Sequence, residues 1–267
     1  MTYDHVWFLS DYGLEDEFVG VVKAVIRAIA PHATVGDVTH SIAPHDIRAG
    51  ALALARSMQY LTLVPSVVLA VVDPGVGSDR RAVAVEAGES VLVGPDNGLL
   101  APAVAMAGGA KRAVSLTNDE YHLPAPGPTF AGRDIFAPAT AHLCAGVDLA
   151  ELGDPVDPVT LLPGIMPLSR QEDGSVTGEV LWVDRFGNIQ LNVDPDDLLL
   201  MDDPLVLVSG DKTRKAVRAR SYSDLRSGQI GLVTDSYGLV SIALDRRSAS
   251  EELRIGAGDA VTIKPAE

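Results

Sequence analysis

Asp73 and Arg80 stand seven residues apart, separated by Pro74-Gly75-Val76-Gly77-Ser78-Asp79. The proline and the two glycines impose a tight backbone path. Such a path can hold a carboxylate facing a pocket with a guanidinium beside it, a pair suited to orienting a water molecule. An ordinary turn followed by a solvated arginine pair, Arg80-Arg81, is the plainer reading. The segment is not a phosphate loop, since neither G-x-G-x-x-G nor G-x-x-x-x-G-K-[ST] occurs in it. A second acidic stretch runs Ser10-Asp11-Tyr12-Gly13-Leu14-Glu15-Asp16-Glu17. A carboxylate there can accept hydrogen bonds from a ribose diol or pair with an ammonium, or it can simply favour a helix N-terminus. In a third place, Asp184-Arg185-Phe186-Gly187-Asn188, Phe186 can stack on a purine while Asn188 reads its edge. A hairpin turn that happens to contain phenylalanine explains the same residues. His40 and His45 lie five apart on a turn-like stretch, where polar contacts are a simpler role than metal binding. No G-x-S-x-G nucleophile elbow occurs.

The acidic stretches follow apolar runs. Val6-Trp7-Phe8-Leu9 reads as a strand buried on both faces, ending at Ser10. Phe18, Val21, Val22, Val25, Ile26 and Ile29 then share one helical face, closed by Pro31. Ile47–Met58 reads as a second helix, and Val67–Val72 as a strand that stops at Asp73. Ala82–Val85 and Val91–Val93 read as further strands, Leu99–Met106 and Ile135–Leu143 as helices. Strands separated by helices predict an α/β domain with a mostly parallel sheet over residues 1–160. In parallel α/β sheets ligands bind beyond the carboxyl ends of the strands, where Asp11 and Asp73 fall. Residues 161–173 are proline-rich and read as a linker. From 174 to 267 only short strands separated by turn residues follow, which predicts an all-β, barrel-like domain.

The chain has 267 residues, with 21 Lys and Arg against 36 Asp and Glu, for a net charge of −15. That charge disfavours nucleic acid and anionic membranes as partners and suits a protein handling small molecules. Cys144 is the one cysteine, so no internal disulfide or cysteine-built zinc site can form. The N-terminus has no basic segment leading into an apolar stretch, and Leu61–Val72 is short and contains Pro65. A cytoplasmic, soluble protein is expected.

Taken together, the motifs resemble one family. They are Ser10-Asp11-Tyr12-Gly13 with Asp16, Asp37-Val38-Thr39-His40, Asp73-Pro74-Gly75-Val76-Gly77-Ser78 with Arg80-Arg81, Gly94-Pro95-Asp96-Asn97-Gly98, Phe130 with Gly132-Arg133-Asp134-Ile135-Phe136-Ala137-Pro138, and Asp184-Arg185-Phe186-Gly187-Asn188. In this order they are similar to the S-adenosylmethionine hydroxide adenosyltransferases, the adenosine-forming hydrolases related to fluorinase and chlorinase. The resemblance implies an α/β domain followed by a β-barrel. It also implies a homotrimer whose active sites lie between the first domain of one subunit and the second domain of the next.

By the same resemblance Asp11 binds the ribose hydroxyls and Asp16 the methionine end. Asp184, Phe186, Asn188 and Ser236 belong to the methionine and adenine pocket, with Tyr222 as a second aromatic wall. Hydrolytic members position the attacking water with an Asp, an Arg and a His, whereas halogenases carry Tyr at the place of Asp73. Asp73 and Arg80 match the first two, but Ala131 stands where the His is expected. The implied reaction is hydrolysis of S-adenosylmethionine to adenosine and methionine, slowed by Ala131, with no cofactor and no metal. The alternatives are a chlorinase-like transferase using halide, a non-catalytic adenosyl-ligand binding protein, and a metal-dependent hydrolysis suggested only by the many aspartates.

Overall fold

The run Val6–Leu9 lies inside β1 (His5–Ser10), whose neighbours in the sheet cover both of its edges. The chain continues through α1 (Phe18–Ile29), β2 (Thr34–Thr39), α2 (Ile47–Leu61), β3 (Val67–Val71), β4 (Ala82–Ala87), β5 (Ser90–Pro95), α3 (Ala101–Met106), β6 (Ala110–Ser115), α4 (Ala137–Cys144) and β7 (Asp154–Val156). This computed structural model describes residues 2–266, and the chain divides between Ile165 and Met166 into two units.

In the first unit the sheet order is β2-β1-β3-β5-β4-β6-β7. Strands β2, β1, β3 and β5 run parallel to one another, as the alternation of strand and helix predicts. The β4, β6 and β7 edge is antiparallel. Only Gly88 and Glu89 separate β4 from β5, with Gly88 at φ 60°. A two-residue connection closes a hairpin and cannot carry a parallel crossover. Strand β2 had no clear signal, because Thr34-Val35-Gly36-Asp37-Val38-Thr39 lacks an apolar run and none of its residues is fully buried. Gly36 pairs with Trp7, and the indole ring occupies the space a side chain at 36 would need.

The register of β1 on β3 is the feature that builds the site. Ser10 pairs with Val71, so the two strands end side by side, and Asp11 N–H reaches Val71 O at 3.4 Å. All five residues of β3 are buried, with α1 and α4 packing together in the core cluster on one face and α2 in the cluster on the other. Helix α2 is capped by Asp46, whose carboxylate accepts the Ala49 N–H at 2.8 Å, and it runs one turn beyond the expected Met58. The helix expected over 135–143 begins earlier, as a π-helical turn, Gly132–Phe136, that runs into α4.

The second unit contains β8 (Arg170–Glu172), β9 (Ser175–Val183), β10 (Ile189–Leu191), β11 (Leu205–Ser209), β12 (Lys212–Ala219), β13 (Ile230–Thr234), β14 (Val240–Leu244), the short helix α5 (Ala249–Leu253) and β15 (Ala260–Pro265). Strand β9 pairs with both β15 and β10, which closes a seven-stranded barrel in the order β10-β14-β13-β12-β11-β15-β9. Closure removes the exposed strand edges. Its interior is filled by Val180, Ile189, Leu191, Leu205, Ile242, Val261 and Ile263, all fully buried.

The proline-rich passage 161–173 is partly structured. Leu162 N–H donates to Asp96 Oδ1 at 2.8 Å, and residues 170–172 form β8, paired to β9 outside the barrel. Among the described residues no helix is long and apolar enough to cross a membrane.

Candidate active site

After β3 the chain turns twice. Val76 N–H donates to Asp73 O at 3.2 Å, and Ser78 N–H donates to Gly75 O at 3.1 Å. These turns bring Arg80 back over Gly75, where a β-carbon would stand 3.1 Å from Arg80 Cγ. Arg80 Nε reaches both oxygens of Asp73, at 2.9 and 3.0 Å, and Nη2 bonds Oδ2 as well. The pair is enclosed: the Asp73 side chain is 5% exposed and that of Arg80 14%. The guanidinium also lies 5.2 Å from the centre of the Phe136 ring. Arg81 turns instead to buried Asp96, with Nε to Oδ2 at 2.8 Å, and to Thr160. The solvated arginine pair is therefore not what forms, because each guanidinium has a buried carboxylate to neutralise.

Asp11 follows β1. Its Oδ2 accepts the His45 backbone N–H at 2.9 Å, and His45 adopts a left-handed conformation with φ 69° to deliver it. The loop carrying Asp11 is fixed by a chain of polar groups that starts at buried Ser10 and His40 and ends at the surface. Tyr12 N–H donates to Ser10 Oγ at 3.3 Å, Ser10 Oγ lies 2.8 Å from His40 Nδ1, and His40 Nε2 lies 3.0 Å from Asp37 Oδ1. Lys23 on α1 closes the chain on Asp37 Oδ2 at 2.7 Å. Burial alone would push the Asp37 carboxyl up, but the hydrogen bonds from Lys23 and His40 outweigh it and hold the group below the ordinary carboxylate range. Both ring nitrogens of His40 are thus used within the fold, and His45 contributes its backbone, so the two histidines form no metal pair. Among the described residues no three His, Cys, Asp or Glu side chains gather as a metal site.

Asp11, Asp73 and Ala131 line one cavity of about 560 Å³, together with Tyr12, Phe18, Pro44, His45, Val76, Phe130 and Gly132. Its walls are largely aromatic and aliphatic, and Tyr12, Phe18 and Phe130 pack edge to face or tilted on one another. Ala131 is buried and also borders a second space of about 870 Å³, lined in addition by Arg80 and His122. The position has room beside it for a larger side chain. Asp16 does not join the others: it is exposed, on the loop before α1, and does not line the cavity.

In the barrel unit Asp184 organises the turn between β9 and β10. Its Oδ1 accepts the N–H groups of Phe186 and Asn188, both at 2.8 Å, and Oδ2 accepts from Asn188 Nδ2 at 2.8 Å. The carboxylate is occupied in shaping the turn, and the turn lifts Phe186 to 77% exposure. Ser236 is exposed in a second turn built the same way, between β13 and β14: Asp235 Oδ1 accepts from Tyr237 N at 2.8 Å and Leu239 N at 3.2 Å. Gly187 and Gly238 take φ 82° and 81° in the equivalent places. Burial pushes the Tyr222 phenol up, with the charges of Asp184 and Asp235 adding to it.

Three groups escaped the sequence reading as site residues. Tyr12 lay inside a motif read for its aspartate. The backbone role of His45 leaves no side-chain signal. Asp235 did have one, because Asp235-Ser236-Tyr237-Gly238 repeats the Asp-x-aromatic-Gly pattern of Asp184-Arg185-Phe186-Gly187.

An α/β unit with a carboxylate and guanidinium cavity at its strand ends, joined to a small closed barrel, defines a class of two-domain proteins. Residues 6–153 match the model of the SAM hydroxide adenosyltransferase N-terminal domain, and residues 178–262 that of the C-terminal domain. The chain belongs to the SAM hydroxide adenosyltransferase family. A protein of Salinispora tropica named (R)-S-adenosyl-L-methionine hydrolase is 43% identical over 256 residues, covering 96% of each chain. A fluorinase of an Actinoplanes species is 26% identical over 298 residues, covering 97% of each. The crystal structure of an uncharacterized conserved protein from Thermotoga maritima superimposes with a TM-score of 0.88 at 36% identity, covering 97% of this chain and 99% of the other.

Proposed function

We propose that this protein hydrolyses S-adenosyl-L-methionine to adenosine and L-methionine, acting on the (R) sulfonium epimer that the name of its relative specifies. The observation that carries this reading is the convergence of Asp11 and Asp73 on one cavity, with Arg80 paired to Asp73 and lining the neighbouring space. Asp11, with Oδ2 held by His45, keeps Oδ1 for a ribose hydroxyl. Arg80 spans both oxygens of Asp73, which fixes the carboxylate plane and aims its remaining lone pairs at a water molecule.

Displacement at C5′ expels a neutral thioether, so no acid is required to protonate the leaving group. Water oxygen bonds to C5′, the C5′–S electron pair passes to sulfur, and one water proton leaves. An oxygen bonding to carbon while still carrying both protons is a far stronger acid than a carboxylic acid, so even a paired aspartate can accept that proton. The remaining requirement is alignment opposite sulfur with bulk water kept out. Alignment in well-oriented systems is worth up to roughly 7–11 kcal/mol, and Phe18, Phe130 and Val76 supply the apolar enclosure. Ala131 offers the water nothing, which makes turnover slow.

The reading takes Asp16 to the methionine end and assigns Asp184, Phe186, Asn188, Tyr222 and Ser236 to adenine and methionine recognition. It requires no cofactor and takes the enzyme to be a cytoplasmic homotrimer, as the family resemblance implies.

The test is incubation with each sulfonium epimer, with chelator and without halide, followed by chromatography. Adenosine and methionine in equal amounts from the (R) epimer are expected. A halide buffer yielding 5′-chloro-5′-deoxyadenosine in place of adenosine would overturn the assignment, although a carboxylate beside a bound halide is repulsive. Tight binding with no conversion in a single turnover would make the chain a binding protein.

A further inference from the structure

We propose that the hydroxyl of Tyr12 is a third catalytic group, holding the attacking water together with Asp73 in the space next to Ala131. The inference rests on the hydrolase reading above. Tyr12 lines the same cavity as Asp73, Ala131 and Gly132. A β-carbon at position 132 would overlap the Tyr12 hydroxyl oxygen and stand 3.1 Å from Cζ. The phenol therefore occupies the space a side chain at 132 would fill, one residue from Ala131. Glycine at 132 is what admits it.

The ring is held on several sides. Its centroid lies 6.3 Å from that of Phe8, 5.8 Å from Phe18 and 5.8 Å from Phe130. The Tyr12 N–H is bonded to Ser10 Oγ, at the head of the polar chain through buried His40 to Asp37 and Lys23 at the surface. Phenylalanine neighbours offer no acceptor, and the hydroxyl forms no hydrogen bond with another described residue. A fixed, partly buried phenol facing a cavity with an unused donor and two lone pairs is placed for a ligand or a water.

Its chemistry complements that of the other wall. Three guanidinium contacts load the oxygens of Asp73, and Ala131 presents only a methyl group. Burial pushes the Tyr12 phenol well above the ordinary tyrosine range, and the charges of Asp11 and Asp73 add to this against a smaller opposing effect of Arg80. The group stays neutral through the physiological range and can accept one hydrogen of the water while Asp73 accepts the other. A lone pair of the water then points at C5′. When the C5′–O bond forms and the C5′–S pair passes to sulfur, the released proton goes to Asp73 and on to solvent. Tyr12 neither gains nor loses a proton.

The test uses the full chain and measures adenosine release, S-adenosylmethionine binding by calorimetry, and thermal unfolding. Tyr12→Phe keeps the ring packing and is expected to lower kcat roughly 100-fold, with binding changed less than about twofold. Gly132→Ala, which drives a methyl group into the hydroxyl, is expected to lower kcat in the Tyr12 protein and to cost little more in the Tyr12→Phe background. Ala131→His, placing a hydrogen-bonding ring beside the same space, is expected to restore turnover to Tyr12→Phe. Full kcat in a folded Tyr12→Phe protein, or Gly132→Ala losses that are the same in both backgrounds, would overturn the proposal while leaving the hydrolase reading intact. No adenosine from the unaltered protein with either epimer would instead overturn the hydrolase reading.

Discussion

Arg80→Met removes three guanidinium contacts from Asp73 and strands a carboxylate whose side chain is only 5% exposed. Breaking an enclosed ion pair by deleting one partner costs about 3–5 kcal/mol, because the desolvation of the survivor is no longer compensated. With Arg80 itself 14% exposed, water screens little of this. The 5.2 Å contact with Phe136 contributes about 1 kcal/mol more, part of which a methionine side chain retains. The expected loss is about 3–5 kcal/mol, confined to the first unit. Asp73→Asn removes the stranded charge, so the double variant should regain at least about 2 kcal/mol over Arg80→Met alone. The assay is urea unfolding in a Trp182→Phe background, where the fluorescence of Trp7 reports the first unit alone. Turnover should stay low in both single variants and the double, since regained stability does not regain an oriented water. A coupling energy below about 1 kcal/mol between the two positions would refute the reasoning.

Ala131→His should raise kcat with little change in substrate binding, because the cavities on either side of the position can take the ring; kinetics and calorimetry on the folded variant check this. Burial, with a contribution from Asp4, pushes the Cys144 thiol up to about 12, so it should be inert to a thiol reagent until the protein is unfolded. The unfolded thiol loses its proton first, so stability should fall as pH rises from the ordinary thiol value toward 12. The slope is at most about 1.4 kcal/mol per pH unit, and Cys144→Ala should reduce it in urea titrations at high pH. Phe186→Ala should change barrel stability by less than about 0.5 kcal/mol, since the ring is 77% exposed, yet weaken substrate binding roughly 10-fold if the ring stacks on adenine.

Much of the architecture was legible because it is local. The buried run of β3 ending at Asp73, the helical face of α1 and the short barrel strands separated by turn residues follow from periodicity and turn chemistry. The Asp73–Arg80 pair was only one of two readings of its segment, since a proline and two glycines over seven residues suit an ordinary turn with solvated arginines as well. The antiparallel edge was also within reach, because two residues between β4 and β5 allow only a hairpin. Strand β2 was not: its Gly36 and Asp37 disguise it, and it is a strand because it pairs with β1 and leaves room for Trp7.

What the sequence by itself determined is therefore the order of elements, the two units, and the carboxylates at the strand ends. Tertiary structure decided which of those groups meet. The register of β1 on β3 brings Asp11 and Asp73 to one cavity, the left-handed turn at His45 fixes the Asp11 carboxylate, and Gly132 admits a hydroxyl from a residue 120 positions earlier. Asp16, equally acidic and far closer to Asp11 along the chain than Asp73 is, is left outside the cavity. The physical reason is range. Turn chemistry and periodicity act over a few residues, whereas the approach of Tyr12 to Gly132 depends on how α1 and α4 pack together on one face of the sheet, which no local pattern encodes.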